Sequence, residues 1–210
     1  MSTTGEGDVD SAQQRVAVVV QRYHRDLAGG SERHAGLYAE YLAAAGFAVD
    51  LLTTTAADAT TWANEYPAGE SFEPLAPNQT NVGFRVLRFP VATGRTADWP
   101  ALHDLLLRET TARRIEPPAP EAPHAFWSER DECRWPRALQ EEWIRRQGPH
   151  SPELLGYLRE SQAQYGAVLL LTYLFAHTYA GLQIVDPTRS NLVPTLHDEA
   201  PAYLPAYHHA

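Results

Sequence analysis

The chain has 210 residues, of which 44% are hydrophobic and 10% aromatic, so it can fill a hydrophobic core. Its formal net charge of −9 argues against nucleic-acid binding, because phosphate backbones bind basic surfaces. Cys133 is the only cysteine, which excludes an intrachain disulfide. The polar residues 1–14 predict a loose tail, and neither a signal peptide nor a membrane-spanning run is evident. We therefore expect a cytoplasmic protein.

The first regular segment predicts a strand, a loop, a helix and a second strand. Residues 16–20 form a continuous apolar run, which is typical of a strand buried on both faces of a parallel sheet. A polar loop over 21–30 follows, and Ser31 is expected to cap the next helix. Gly46 ends that helix, and residues 47–53 predict the second strand. Two parallel strands joined by a helix form a crossover unit of an α/β sheet.

The middle of the chain is less regular. Residues 58–81 predict a loop, and the alternating residues 84–89 predict a third strand that lies nearer the sheet edge than the first. Residues 93–148 predict an irregular insertion with helices over 99–114 and 136–146. Because the insertion is rich in tryptophan, we expect it to pack on the domain.

The alternation of helices and strands resumes after residue 148. The expected elements are a helix capped by Ser151 that runs to about residue 164, a strand over 167–172, a short helix over 175–182 and a strand over 191–196. The strand–helix rhythm predicts one Rossmann-like α/β domain over 15–210. Its sheet should be parallel and doubly wound, in a three-layer αβα arrangement.

Three polar clusters follow predicted strands, at 21–30, 172–177 and 195–199. Ligands of open parallel sheets bind outside the carboxyl ends of the strands. The shared position of the three clusters therefore predicts a ligand site at one edge of the sheet.

Gly29 and Gly30 precede a helix N-terminus, where free amides favour an anion or a hydroxyl-rich ligand. The loop lacks both the GxGxxG pattern and the phosphate-loop Gly-Lys-Ser/Thr, so the sequence does not support ordinary dinucleotide or ATP binding. Glu32 adds a negative charge beside the same amides, which suits a site that also accepts sugar hydroxyls. A tight turn without a ligand is the alternative interpretation of the glycine pair.

His197 lies at a predicted strand end and is followed by Asp198 and Glu199. A structural histidine and a functional one are equally compatible with this position. The two carboxylates are also compatible with capping the next helix. These three residues do not by themselves indicate a metal site, which needs convergent ligands.

Several segments together resemble the family 4 retaining glycosyltransferases of the GT-B fold. The loop QRYHRDLAGGSERH over 21–34 and the stretch LAAAGFAVDLLT over 42–53 are similar to the opening of that family, where a Gly-Gly-x-Glu loop begins the N-terminal Rossmann-like domain. VGFRVLRFP over 82–90 is similar to its third strand. QGPHSP over 147–152 and VPTLHDE over 193–199 are similar to its later segments that face the active site.

The resemblance implies a metal-independent enzyme that transfers a sugar from a nucleotide-sugar donor to an acceptor with retention at the anomeric carbon. By position, Gly29, Gly30, Ser31 and Glu32 would bind substrate, with the glycines facing the donor diphosphate or the acceptor. His197 would be catalytic and lie near the transferred sugar. The resemblance also places Asp198 and Glu199 beside the sugar and makes His150 a looser substrate-binding candidate.

The donor-binding C-terminal domain of the family has no counterpart in the sequence. We therefore expect an acceptor-side N-terminal domain that is inactive alone. The alternative is a stand-alone Rossmann-like module that binds a nucleotide or glycan and works with a partner chain. The donor, the acceptor and any membrane contact of the insertion are left open by the sequence.

Overall fold

A computed structural model describes residues 15–27, 29–76, 78, 81–111, 133–197 and 199–209. The predicted tail, the proline-rich part of the insertion and Asp198 lie outside these residues. The strands are β1 (Arg15–Val19), β2 (Ala48–Thr54), β3 (Gly69–Pro74), β4 (Gly83–Phe89), β5 (Ala167–Leu171) and β6 (Ser190–Val193). The helices are α1 (Gly30–Ala44), α2 (Trp99–Thr111), α3 (Arg137–Gln147), α4 (Pro152–Ser161) and α5 (Ala176–Ile184). Short 3₁₀ turns cover Gln162–Gln164, Ala200–Tyr203 and Pro205–His209.

The six strands form one sheet in the order β3-β4-β2-β1-β5-β6. All neighbouring pairs are parallel except β3 and β4. β1 lies between β2 and β5, so the chain winds outward in one direction from β1 and then in the other. This position is the topological switch point, where open α/β sheets bind ligands.

Helices cover both faces of the sheet. The alanine-rich face of α1 packs against Val18, Leu51 and Val86 on one side. Leu154 and Leu158 of α4 pack against the opposite face. Because β1 is covered on both sides, every residue of it after Arg15 is buried. The prediction of a Rossmann-like three-layer α/β fold is confirmed.

β3 corrects the prediction of a loop over 58–81, and it makes the strand at 84–89 the fourth along the chain. The strand has the sequence GESFEP and pairs only with β4, at the edge of the sheet. An edge strand with one solvated side needs little apolar sequence, and a terminal proline is tolerated there. The sequence therefore carried no strong strand signal.

The described parts of the insertion do pack on the domain, as expected. Leu106 of α2 and Trp143 of α3 form a buried cluster with Ala176 of α5 and with Leu204. The helix predicted over 99–114 is described as far as Thr111. At the start of α4, the hydroxyl of Ser151 accepts a hydrogen bond from the Leu154 amide at 3.3 Å, as predicted for a capping serine.

The last predicted strand, over 191–196, is shorter than expected. β6 ends at Val193, before a proline that cannot donate to the sheet. Thr195 then has a φ of 47°, which is incompatible with an extended strand. The last sheet residue, Val193, therefore lies four positions before His197.

Candidate functional site

The carboxyl ends of β1 and β5 lie side by side, and the polar residues that follow them are in contact. Ser31, in the first turn of α1, and Thr172, directly after β5, have their hydroxyl oxygens 2.5 Å apart. The Ser31 hydroxyl also lies 3.4 Å from the side-chain oxygen of Gln21, which follows β1. Two of the three polar clusters predicted from sequence thus meet at the switch point.

Ser31 does not cap α1, which corrects the sequence prediction. The N-cap is Gly29, and no side chain accepts a capping hydrogen bond there. Ser31 is the second residue of the helix, and its hydroxyl contacts Gln21 and Thr172 instead of capping it. The predicted capping serine therefore links two strands of the sheet.

Glu32 is buried beside the helix N-terminus. Its carboxylate accepts hydrogen bonds from Arg22 Nε at 2.6 Å and from Gln21 Nε2 at 3.1 Å. A methyl group at Gly29 would lie 2.0 Å from Glu32 Oε2, so the absence of a side chain there makes room for the carboxylate. The N-terminus of a helix favours anions, and here the chain itself supplies the negative charge, from Glu32. This geometry disfavours a diphosphate against these amides and suits an uncharged, hydroxyl-rich ligand.

An open groove of about 460 Å³ runs along the loop after β1 and the first turns of α1, and we call it the Gly30 groove. Its lining includes Tyr23, Arg25, Gly30, Arg33, Leu37 and Glu40. A methyl group added to Gly30 would meet no atom within 4 Å, so this glycine faces open space. Burial, reinforced by Glu73, raises the pKa of Tyr23 to about 12, so its phenol stays protonated at neutral pH.

Two threonines at the carboxyl edge have left-handed backbone conformations. Thr172 follows β5 with a φ of 66°, and Thr195 follows β6 with a φ of 47°. A β-branched residue is strained there, and such strain is concentrated at functional sites. The strained threonines therefore mark the edge that the polar clusters also indicate.

The third polar cluster, over 195–199, lies beyond β6 and is organised separately. His197 is exposed, and its carbonyl accepts a hydrogen bond from the Glu199 amide at 2.9 Å. Glu199 accepts a 2.8 Å hydrogen bond from the Tyr173 hydroxyl. Burial and this carboxylate raise the pKa of Tyr173. Among the described residues, no hydrogen bond joins His197 to the Gly30 groove.

His150 connects two segments through its backbone. Its carbonyl accepts a hydrogen bond from the Ala92 amide at 2.9 Å, and its amide donates to the Thr93 carbonyl at 3.3 Å. Burial, with a contribution from Arg145, lowers the pKa of its imidazole. The structure therefore places His150 where the loop after β4 meets the start of α4, and no hydrogen bond of the described chain links it to Ser31.

A cluster that no sequence pattern predicted lies at the same edge and consists of Trp62, Arg95, Trp99, His103 and Trp143. We call it the Arg95 cluster. Trp62 follows β2, Arg95 follows β4, and the last three residues lie on α2 and α3. The Trp62 indole donates to the Gln147 carbonyl at 2.8 Å and packs edge-on against Phe175, beyond β5. These contacts join residues that are far apart in sequence, so no local sequence motif predicts them.

Within the described ranges, no group of three or more histidine, cysteine or acidic side chains is arranged to hold a metal ion. In the same residues, no helix combines the length and hydropathy that crossing a bilayer requires.

The fold and the carboxyl edge define a Rossmann-like α/β domain whose switch point carries a polar network beside an open groove. Comparison of the chain with family models, curated proteins and solved structures finds no match.

Proposed function

We propose that the chain is the acceptor-side domain of a retaining glycosyltransferase of the GT-B fold. The single observation that carries the proposal is the Gly30 groove along the loop after β1 and the start of α1, where Glu32 already supplies a negative charge. A groove beside a helix N-terminus that already has a carboxylate next to it suits sugar hydroxyls better than a diphosphate. The diphosphate of the donor would then be held by a second domain.

In the proposed reaction, an acceptor hydroxyl oxygen bonds to the anomeric carbon of the donor sugar. The bond between that carbon and the diphosphate oxygen breaks, and the acceptor proton passes to the leaving diphosphate. His197, whose imidazole is exposed at the same edge, is proposed to contact the transferred sugar. The proposed transfer is metal-independent, so amides and cations would stabilise the charge that develops on the diphosphate.

A second candidate is a stand-alone binding module for a nucleotide or glycan that works with a partner chain. The saturated network of Gln21, Ser31, Glu32 and Thr172 favours it, because these groups satisfy each other. A binding site can use such groups to hold a rigid shape, whereas catalysis needs groups that reach the reacting atoms.

The test is a titration of the ¹⁵N-labelled chain, followed by NMR, with methyl glucoside, methyl mannoside, UDP-glucose and GDP-mannose. We expect the simple glycosides to shift the amides of Gly30, Arg33 and Leu37, which line the groove, and the nucleotide-sugars to bind no more tightly. Tighter binding of a nucleotide-sugar at these amides would favour the module. Shifts confined to other surfaces, or absent altogether, would contradict both candidates.

A matched pair of glycine variants sharpens this test. Gly30 and Gly156 are both helical, and an added methyl group would meet nothing within 4 Å at either position. Gly30→Leu should fill the groove and abolish the glycoside-induced shifts, while Gly156→Leu on α4 should preserve them. Equal effects of the two variants would argue against the groove as the sugar site.

A further inference from the structure

The guanidinium of Arg95 lies between two indole rings at the carboxyl edge of the sheet. Its Cζ is 4.3 Å from the centroid of Trp99 and 5.4 Å from that of Trp62. Trp62 is almost fully buried and fixed by its hydrogen bond to the Gln147 carbonyl. Stacking on aromatic faces holds a guanidinium plane in place and leaves the donors on its edge available.

Arg95 forms no salt bridge with any carboxylate of the described chain. Its Nη2 donates to Gln147 Oε1 at 3.2 Å and its Nη1 to the Thr60 carbonyl at 3.5 Å, while Nε is buried without a partner. Desolvation lowers its pKa, and the opposing effect of Asp58 is weaker. The Asp58 carboxylate is itself bound by the amides of Thr60 and Thr61 at 2.7 Å. A partly buried cation is therefore left without its own counter-ion.

Three further ring nitrogens of the Arg95 cluster are buried without hydrogen-bond partners. They are Trp99 Nε1, His103 Nδ1 and Trp143 Nε1. The rings form one stack, since His103 lies 4.7 Å from Trp99 and 5.8 Å from Trp143 between centroids. A buried polar group without a partner costs about 1–3 kcal/mol, and few occur in a folded protein. Arg95 Nε and Trp99 Nε1 are donors of stacked side chains, and both lack an acceptor.

We propose that Arg95, Trp99 and His103 form a binding site for a phosphate group. Phosphate offers several acceptor oxygens in a compact volume, whereas a carboxylate offers two, and arginine matches its geometry with a bidentate fork. Arg95, Trp99 and His103 are each partly exposed, so a ligand can reach their outer atoms. With a formal net charge of −9, the chain as a whole repels phosphate, and binding depends on these local donors.

Because several charges act on His103, the pKa of its imidazole can be used to detect a bound phosphate. Burial and Arg95 lower the pKa of its imidazole, whereas Asp104 and Glu199 act in the opposite direction. A bound phosphate next to the ring adds negative charge, so it should raise this pKa. A structural packing role for Arg95 would leave the pKa of His103 insensitive to added phosphate.

The phosphate site lies at the same sheet edge as the Gly30 groove, but no residue of the Arg95 cluster lines that groove. The two tests follow different residues, so the two proposals succeed or fail separately. The phosphate is supplied either as the free ion or as a phosphate ester, and the experiment distinguishes these sources.

The experiment is an NMR titration of the chain with inorganic phosphate against chloride at constant ionic strength. Concentrations up to about 20 mM suffice to detect a millimolar Kd. We expect saturable shifts of the Trp62 and Trp99 indole N–H signals and a rise of the His103 pKa. Arg95→Gln should weaken binding by about tenfold or more, because a charge-assisted hydrogen-bonding group is lost. Arg108→Gln, which removes the same charge from an exposed position on α2, should bind like the wild type.

Trp99→Phe keeps an aromatic ring beneath Arg95 but removes the indole donor, and it replaces Arg95→Gln if that variant fails to fold. It should weaken binding by about threefold to tenfold. Absence of saturable shifts in the wild type, equal losses in Arg95→Gln and Arg108→Gln, or tighter binding of acetate than of phosphate would each overturn the proposal. Tighter binding of glucose 1-phosphate than of phosphate would assign the site to a phosphate ester, and equal affinity would assign it to the free ion.

Discussion

The hydroxyl oxygens of Ser31 and Thr172 lie 2.5 Å apart, although the residues are 141 positions apart in the chain. Their contact joins the first turn of α1 to the end of β5 across the switch point. Thr172 is held at a φ of 66°, a conformation in which a β-branched residue is strained. The hydrogen bond therefore helps to fix the geometry of the loop at the carboxyl edge.

A double-mutant cycle with Ser31→Ala and Thr172→Val should reveal this link. We expect a coupling free energy of about 0.5–1.5 kcal/mol in urea unfolding, since each single variant already removes the shared hydrogen bond. Thr172→Val keeps the branched side chain and hence the backbone strain. Strictly additive effects would show that the two hydroxyls do not interact in solution.

Glu32→Gln should destabilise the fold by about 3 kcal/mol, because it leaves the nearly buried Arg22 without its partner and removes a negative charge from the N-terminus of α1. The measurement is the free energy of unfolding in urea at neutral pH. Glu65→Gln, at an exposed position, makes the same chemical change and should have little effect. If the two variants were equally stable, Glu32 would not be the internal anion of this helix.

The two glycines of the loop should respond differently to alanine. Gly29→Ala places a methyl group against the Glu32 carboxylate and should cost about 1–3 kcal/mol through overpacking. Gly30→Ala meets open space in the first turn of α1 and should be neutral or stabilise the fold by about 0.5 kcal/mol. Thermal unfolding of both variants checks the prediction, and the reverse order of stability would contradict the packing around Glu32.

His177 should make the stability of the fold depend on pH. Burial lowers the pKa of its imidazole to about 3, and neither ring nitrogen makes a hydrogen bond of normal geometry, although the Leu171 carbonyl partly opposes the shift. The unfolded chain, with a histidine pKa of about 6.5, binds the proton first as the pH falls. The contribution of the neutral imidazole to the free energy of unfolding is therefore fully present above about pH 6.5. It decreases as the pH falls further, by about 2.5 kcal/mol on reaching pH 4.5.

His177→Leu should flatten the pH dependence of the free energy of unfolding over this range. His34→Leu, at an exposed position on α1, controls for the loss of a histidine and should follow the wild-type curve. Urea unfolding at a series of pH values provides the measurement. A slope that is unchanged in His177→Leu would mean that another group is responsible.

Much of the fold was predictable because its signals are local. The apolar run of β1, the glycine that ends α1 and the cap at Ser151 each act within a few residues. Such short-range patterns specify an element without reference to the rest of the chain. The edge strand β3 was missed because its pairing with β4, rather than its own composition, makes it a strand.

The candidate site was predictable only in part. The carboxyl ends of parallel strands must share one edge of the sheet, and this rule correctly placed Gln21 and Thr172 close enough to contact the same Ser31 hydroxyl. It did not reveal that Ser31 bonds to Thr172 instead of capping the helix. The catalytic role of His197 remains a prediction, since position at the edge does not establish contact with a ligand.

By itself, the sequence determined a parallel α/β sheet with a glycine loop at its ligand-binding edge, because hydrophobic period and turn chemistry act locally. Tertiary structure alone decided which charges and rings meet there. The Glu32 carboxylate packs against Gly29 at the N-terminus of α1. Arg95 lies between Trp62 and Trp99 and forms no salt bridge with a carboxylate of the described residues. Contacts between residues this distant depend on how helices and loops pack over the sheet, and no local pattern records that packing.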